Sequence, residues 1–200
     1  FLPHVYRWCR RRRIPFVAYV GTAHSLDSNF KSKVMNALFA AGTLRIYKKN
    51  PVLAKTSAAK EELRQLGVPH AVIAPVGLDI AVLKKNIPAD EKMRLRKEHG
   101  FEADDVILCN VSRLSWEKRP LELIDLFLQV KGKKKFKLII VGNGPLEEEL
   151  NEKIRKNGLE KEVKIYPNVP YEKMWEIYEM SDYYLNMNKG EIFGMAIMEA

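Results

Sequence analysis

The feature that most constrains this chain is a series of unbroken apolar runs in its second half, each followed by a stretch of helical spacing. Val106-Ile107-Leu108-Cys109-Asn110-Val111, Phe136 to Val141, Val163 to Tyr166 and Tyr183 to Asn186 read as strands. Pro120 opens a strongly apolar helix over Leu121 to Val130, and Leu146, Leu150 and Ile154 mark one face of a helix that stops at Asn157-Gly158. A further helix covers Glu172 to Met180, and a last one starts near Phe193. A strand that is apolar on both faces must be covered on both, and strands alternating with helices give a parallel sheet. Right-handed crossovers then make that sheet doubly wound. Ligands of such sheets sit beyond the carboxyl ends of the strands, so the loops that matter are 112–119, 142–145, 167–171 and 187–193.

The first part of the chain alternates in the same way. Phe16 to Val20 predicts a strand broken at Gly21, and Ser25-Leu26-Asp27-Ser28 offers helix-capping chemistry before a helix over Lys33 to Ala41. Pro51 to Ala54 and Ala71 to Ala74 predict short strands on either side of a helix over Ala58 to Leu66, closed by Gly67. Residues 78–90 carry few core signals and read as a linker, with Asp90 placed to cap a charged helix that runs to Gly100.

At 200 residues the chain is long enough to bury a sizeable core without metal or disulfide staples. Cys9 and Cys109 have no CxxC or His-rich companions, which excludes a disulfide framework and a cysteine zinc site and fits a reducing compartment. No apolar run approaches the roughly 18 residues of a membrane span. The net charge of +9 favours an anionic partner without choosing among nucleic acid, an acidic membrane face and phosphorylated substrates. The chain starts at Phe1-Leu2-Pro3 without Met, and its positive run follows the apolar start, the reverse of a signal peptide. Its last residues, Met195 to Ala200, fall inside a helical pattern, so a piece of a longer protein is expected.

The last loop carries the strongest chemical signal. Glu191-Ile192-Phe193-Gly194 precedes a helix that holds Glu199, eight positions after Glu191. Glycine at a helix start lets an anion approach the free N–H groups, and the helix dipole favours it. Carboxylates on either side are poor phosphate ligands but good acceptors for sugar hydroxyls. A nucleotide sugar has phosphates in the middle and polyols at both ends. Arg113 and Lys118, five apart after a strand, supply two cations for a diphosphate. Such cations stabilise a departing diphosphate, whose charge grows in the transition state.

These residues, together with Val111-Ser112-Arg113-Leu114, Glu117-Lys118, Ile140 to Pro145, Tyr178, Ser181-Asp182 and Glu199-Ala200, resemble the retaining GT-B glycosyltransferases of family 4, the glycosyl transferases group 1. The resemblance is good over 100–200. It is looser over 14–80, where Pro15-Phe16-Val17 with His24, and Val72 to Asp79, are similar to family segments. It implies a GT-B α/β architecture of two Rossmann-like doubly wound domains: residues 1–82 as the end of the acceptor-side domain and 83–200 as most of the nucleotide-sugar domain, truncated at both ends. It implies transfer of a hexosyl group from a nucleotide sugar to a hydroxyl acceptor with retention, in polysaccharide or glycolipid synthesis on the cytoplasmic side, with no cofactor and no metal. Arg113 and Lys118 would bind the diphosphate, Glu199 the ribose hydroxyls, and Glu191 the transferred sugar near its reacting carbon. Backbone groups of Phe193, Gly194 and Met195 would close on sugar and phosphate, and His24 would reach a sugar hydroxyl. The pattern departs at Ser112, Pro167 and Asn188, none of them a charged position.

Several readings stay open. Gly142-Asn143-Gly144-Pro145 fits a donor contact at Gly142 or a plain tight turn with Pro at the first helical position. His24 fits a loop histidine as well as a catalytic one. The run Arg10 to Arg13 fits a solvated helix end or a peripheral patch on the inner membrane face, suited to a lipid-linked acceptor. The rival functions are a sugar-nucleotide epimerase on the same fold and a fragment that binds nucleotide sugar without catalysis. Nucleic acid is not an expected partner, because basic and acidic residues alternate along most helices.

Overall fold

The structure, a computed structural model, describes residues 2–21, 34, 37, 42–83, 85–130, 132, 135–188 and 194–200. The described residues divide into two compact units, one within 2–77 and the other within 78–188 and 194–200.

The first unit contains α1 (Leu2–Arg11), β1 (Ala18–Val20), α2 (Leu44–Tyr47), β2 (Val52–Ala54), α3 (Ser57–Gln65) and β3 (Val72–Ile73). Its three strands are parallel in the order β1-β2-β3, with Ala18 opposite Val52 and Leu53 opposite Val72. The expected cap at Ser25–Ser28 lies outside the described residues, as does most of the helix expected over 33–41. Thr56 caps α3 by accepting from the Ala59 N–H at 3.0 Å, which satisfies one of the helix's free donors. Ala59 and Leu63, one turn apart on α3, then pack with Ala18, Val20, Val52 and Ala54.

The second unit contains α4 (Ile80–Leu83), α5 (Ala89–Glu98), β4 (Val106–Val111), α6 (Pro120–Val130), β5 (Phe136–Val141), α7 (Glu147–Lys156), β6 (Val163–Tyr166), α8 (Met174–Met180), β7 (Tyr183–Tyr184) and α9 (Met195–Glu199). All four strands are parallel in the order β6-β5-β4-β7. The unbroken apolar runs are explained by two separate cores. Leu108, Leu138 and Ile140 face Leu123, Ile124 and Phe127 of α6 and Leu150 and Ile154 of α7. Their neighbours Ile107, Cys109, Ile139 and Val141 face Leu95 of α5 and Met174, Ile177 and Met180 of α8. Odd and even positions of the same strand thus feed opposite layers, the doubly wound arrangement.

Two local expectations are corrected. The linker read over 78–90 is partly structured: Asp79 accepts from the Ala81 N–H at 3.1 Å, starting α4, and Leu83 is buried among the α5 and α8 side chains. One or two apolar anchors are too few to show periodicity. Asp90 does not cap α5. Pro88 holds that place with extended backbone, and Asp90 lies in the first turn, where its charge still suits the helix dipole.

The end of β4 farther from the ligand loops is held by an ion pair between a buried arginine and a partly exposed aspartate. Arg96 of α5 is 5% exposed and donates to Asp182 Oδ1 at 2.6 Å and to the Met180 carbonyl at 2.9 Å. Asp182 Oδ2 accepts from the Ile107 N–H at 2.9 Å. Asp182→Ala leaves a buried guanidinium without its carboxylate and should cost about 3 kcal/mol or more. The measurement is a lowered urea midpoint with an unchanged slope.

Candidate functional site

The strand order places the site. From β4 the chain proceeds to β5 and β6 on one side, then crosses to β7 on the other side of β4. Such a reversal marks the usual place of a ligand crevice in open α/β sheets, here beyond the carboxyl ends of β4 and β7. Arg113 and Lys118 follow β4; Gly194, Met195 and Glu199 follow β7.

The loops after β4 and β5 are locked together through backbone. Ser112 N–H donates to the Val141 carbonyl at 3.0 Å, Leu114 N–H to Asn143 at 2.9 Å, and Leu146 N–H to Leu114 at 3.1 Å. The approach is so close that a Cβ on Gly142 would lie 2.1 Å from the Ser112 carbonyl oxygen, and one on Gly144 2.3 Å from that of Leu114. Both glycines of the Gly-x-Gly-Pro turn therefore have a packing reason. Gly142 also lines a hollow of about 540 Å³ with Arg113, Asn143, Pro167, Asn168 and Met174. Asn143 closes its floor by donating to the Pro167 carbonyl at 3.2 Å and to Asn168 Oδ1 at 2.8 Å.

Lys118 ends a short 3-10 turn, Trp116–Lys118. Between the two cations stands Glu117, whose carboxyl is held below its ordinary range, first by the Ser115 hydroxyl and also by the charges of Arg113 and Lys118. Arg113 lines the hollow beside Gly142; Lys118 is not among its lining residues.

Between β4 and the segment after β7, Asn110 does work that an apolar strand residue could not. It is 3% exposed; its Nδ2 donates to the Leu185 carbonyl at 2.7 Å, and its Oδ1 accepts from Ser112 Oγ at 2.9 Å. Tyr184 donates its hydroxyl to the Val111 carbonyl at 3.2 Å. Sequence reasoning absorbed Asn110 into the apolar run. The available signal was a polar residue at the last position but one of an otherwise apolar strand.

Glu199 lies in α9, which opens at Gly194 and Met195. Its Oε2 accepts from the Tyr178 hydroxyl of α8 at 2.8 Å. Burial, then the bond to Glu199, pushes the Tyr178 phenol far above its ordinary value, so it stays a proton donor at any working pH. Tyr178 and Glu199 border a second hollow of about 440 Å³, with Leu83, Asn86, Lys92 and Ser181. The structure thus joins Arg113 and Gly142 in one hollow and puts Glu199 in another. The two are neighbours along α8, since Met174 borders the first and Tyr178, one turn later, the second. His24, Glu191 and Phe193 lie outside the described residues.

The contrast between glycines is testable. Gly142→Ala drives a methyl into backbone and should lose about 2–3 kcal/mol of stability. Gly158 has φ +60° but nothing within 4 Å of a built Cβ, so Gly158→Ala should lose only about 1 kcal/mol, the conformational part. Urea unfolding of the two variants measures the difference.

Comparison with known proteins gives a consistent picture. The chain is 22% identical to the alpha-monoglucosyldiacylglycerol synthase of Acholeplasma laidlawii over 203 aligned residues, covering 96% of this chain and 51% of the relative. The synthase of the same name from Streptococcus pneumoniae is 23% identical over 130 residues, 64% of this chain and 30% of that protein. The chain therefore spans about half or less of the length of these relatives. Among solved structures, Anabaena HepE in complex with UDP and glucose superposes with a TM-score of 0.76 at 22% identity, covering 96% of this chain and 51% of that one. That likeness establishes a partial GT-B fold with Rossmann-like parallel sheets. The family model described as glycosyl transferases group 1 matches residues 91–200. The chain belongs to the glycosyl transferases group 1 family.

Proposed function

We propose that this chain carries the donor side of an enzyme that moves a hexosyl group from a nucleotide sugar to a hydroxyl acceptor, with retention at the anomeric carbon. The observation that carries the reading is Arg113, which follows β4 and lines one hollow with Gly142 at the carboxyl ends of the strands, beside the point where the strand order reverses. UDP and glucose in the Anabaena structure support a nucleotide-sugar donor. In this reading Arg113 and Lys118 hold the diphosphate, with Gly142 and the backbone of Phe193, Gly194 and Met195 around it. Glu199 accepts from the ribose hydroxyls, Glu191 contacts the sugar near its reacting carbon, and His24 contacts a sugar hydroxyl. As the glycosidic bond breaks, negative charge grows on the diphosphate. Fixed cations stabilise that charge more than the ground state, which lowers the barrier. The two cations take the part that a metal ion plays elsewhere, so the reaction is proposed to run without metal or cofactor.

The acceptor reading is a glycolipid or polysaccharide hydroxyl at an anionic membrane face, on the cytoplasmic side. Free buried thiols at Cys9 and Cys109 suit that compartment. Helix α1 leaves Trp8 51% exposed, with the Arg12 guanidinium 5.0 Å from its ring, and Val5 and Ile14 are exposed too. Arg7 and Arg10 to Arg13 all precede the first acidic residue, Asp27. Basic charge beside an aromatic and aliphatic surface suits an interfacial helix. Among the described residues no helix is long and apolar enough to cross a membrane.

Calorimetric titration with UDP and GDP tests the donor site. Lys118→Ala should weaken nucleotide binding by about tenfold or more, the loss of one charge-assisted contact, and cut turnover severely in the full-length enzyme. Unchanged turnover would defeat the assignment. Co-flotation with phosphatidylglycerol vesicles should fall sharply when Arg10 to Arg13 are replaced by Gln. Equal binding to phosphatidylcholine vesicles would remove the membrane contact from the reading.

A further inference from the structure

The two helices that meet at Glu199 are held very differently. Helix α8 is anchored: Ile177 and Met180, on either side of Tyr178, are 2% and 0% exposed in the core. Helix α9 spans five residues, buries none of them, and has no side-chain cap. A glutamate on so short and exposed a helix has several rotamers open to it, and choosing one costs entropy. What holds the Glu199 carboxylate is the hydroxyl of Tyr178, 2.8 Å from Oε2. A carboxylate has about four acceptor positions on its two oxygens, so Oε1 stays available to a ligand with two adjacent hydroxyls. Tyr178 is itself steadied by the core around α8, against which Tyr184 also packs.

We infer that Tyr178 is a positioning residue: its hydroxyl presets the Glu199 carboxylate for the paired hydroxyls of a ribose, and so makes the site select ribonucleotide over 2′-deoxyribonucleotide diphosphates. The inference rests on the reading of Glu199 as the ribose contact and adds the residue that sets its geometry and the specificity that follows. A preset acceptor binds the diol without the cost of ordering the side chain. A ligand lacking one hydroxyl forfeits that advantage.

The test is calorimetric titration of UDP and 2′-deoxy-UDP into the wild-type chain, Tyr178→Phe, Glu199→Gln and Lys118→Ala. The wild type should bind UDP at least tenfold more tightly than 2′-deoxy-UDP. Tyr178→Phe should narrow that ratio to threefold or less, with the loss falling on UDP and the 2′-deoxy affinity unchanged. Glu199→Gln should narrow it likewise, while Lys118→Ala weakens both nucleotides equally and preserves the ratio. A Tyr178→Phe variant that keeps the wild-type ratio, or loses both affinities in equal proportion, overturns the inference. So does a wild-type ratio near one; if Lys118→Ala still weakens both nucleotides in that case, the donor-site reading survives. Absence of binding by either nucleotide, or indifference to Lys118→Ala, sinks the donor-site reading and this inference with it.

Discussion

Everything at the candidate site depends on a short strand pairing. Strand β7 joins the sheet through two residue pairs with β4, Leu108 opposite Tyr183 and Cys109 opposite Tyr184. So brief a ladder would be weak by itself, and side chains extend it at both ends. Below, Asp182 accepts from the Ile107 N–H and is clamped by buried Arg96. Above, Asn110 reaches across to the Leu185 carbonyl. These contacts seat β7 beside β4 on the side away from β5, and the reversal of strand order creates the crevice.

The crevice is built to different tolerances on its two sides. The β4 and β5 loops are bonded backbone to backbone, and Gly142 and Gly144 are needed because a side chain would collide with the neighbouring carbonyl. Arg113 is therefore carried on a rigid platform, suited to a fixed charge. The β7 side is looser: α9 is short with no buried residue, and the carboxylate it carries, Glu199, is steadied by a tyrosine from the better packed α8. In the proposed enzyme, the diphosphate would meet a preorganised field and the ribose a contact adjusted by a single hydrogen bond.

Some of this was legible in the residues themselves. Unbroken apolar runs imply two covered faces, and Leu108 and Cys109 do pack into opposite cores. Arg113 and Lys118 are marked by their spacing after a strand, and the structure puts Arg113 in one hollow with Gly142. Ser181-Asp182 was recognised as part of a family pattern, but its work is structural, holding Arg96 and the start of β4. Asn110 passed as one more residue of a strand. Asp90 has the chemistry of a cap, but Pro88 already supplied the extended backbone at that position.

The sequence by itself determined the fold class and, α4 apart, the approximate positions of the strands and helices of the second unit, because periodicity is local and each apolar run must be buried wherever it lands. It also marked the charged residues after β4 and β7, since their types and spacing can be read along the chain. Only the tertiary structure decided which strands are neighbours, why Gly142 and Gly144 cannot carry a side chain, and that Tyr178 reaches Glu199 from 21 positions away. Those facts depend on groups brought together by long-range packing. No local pattern records the distance between two side chains that meet only when the chain is folded.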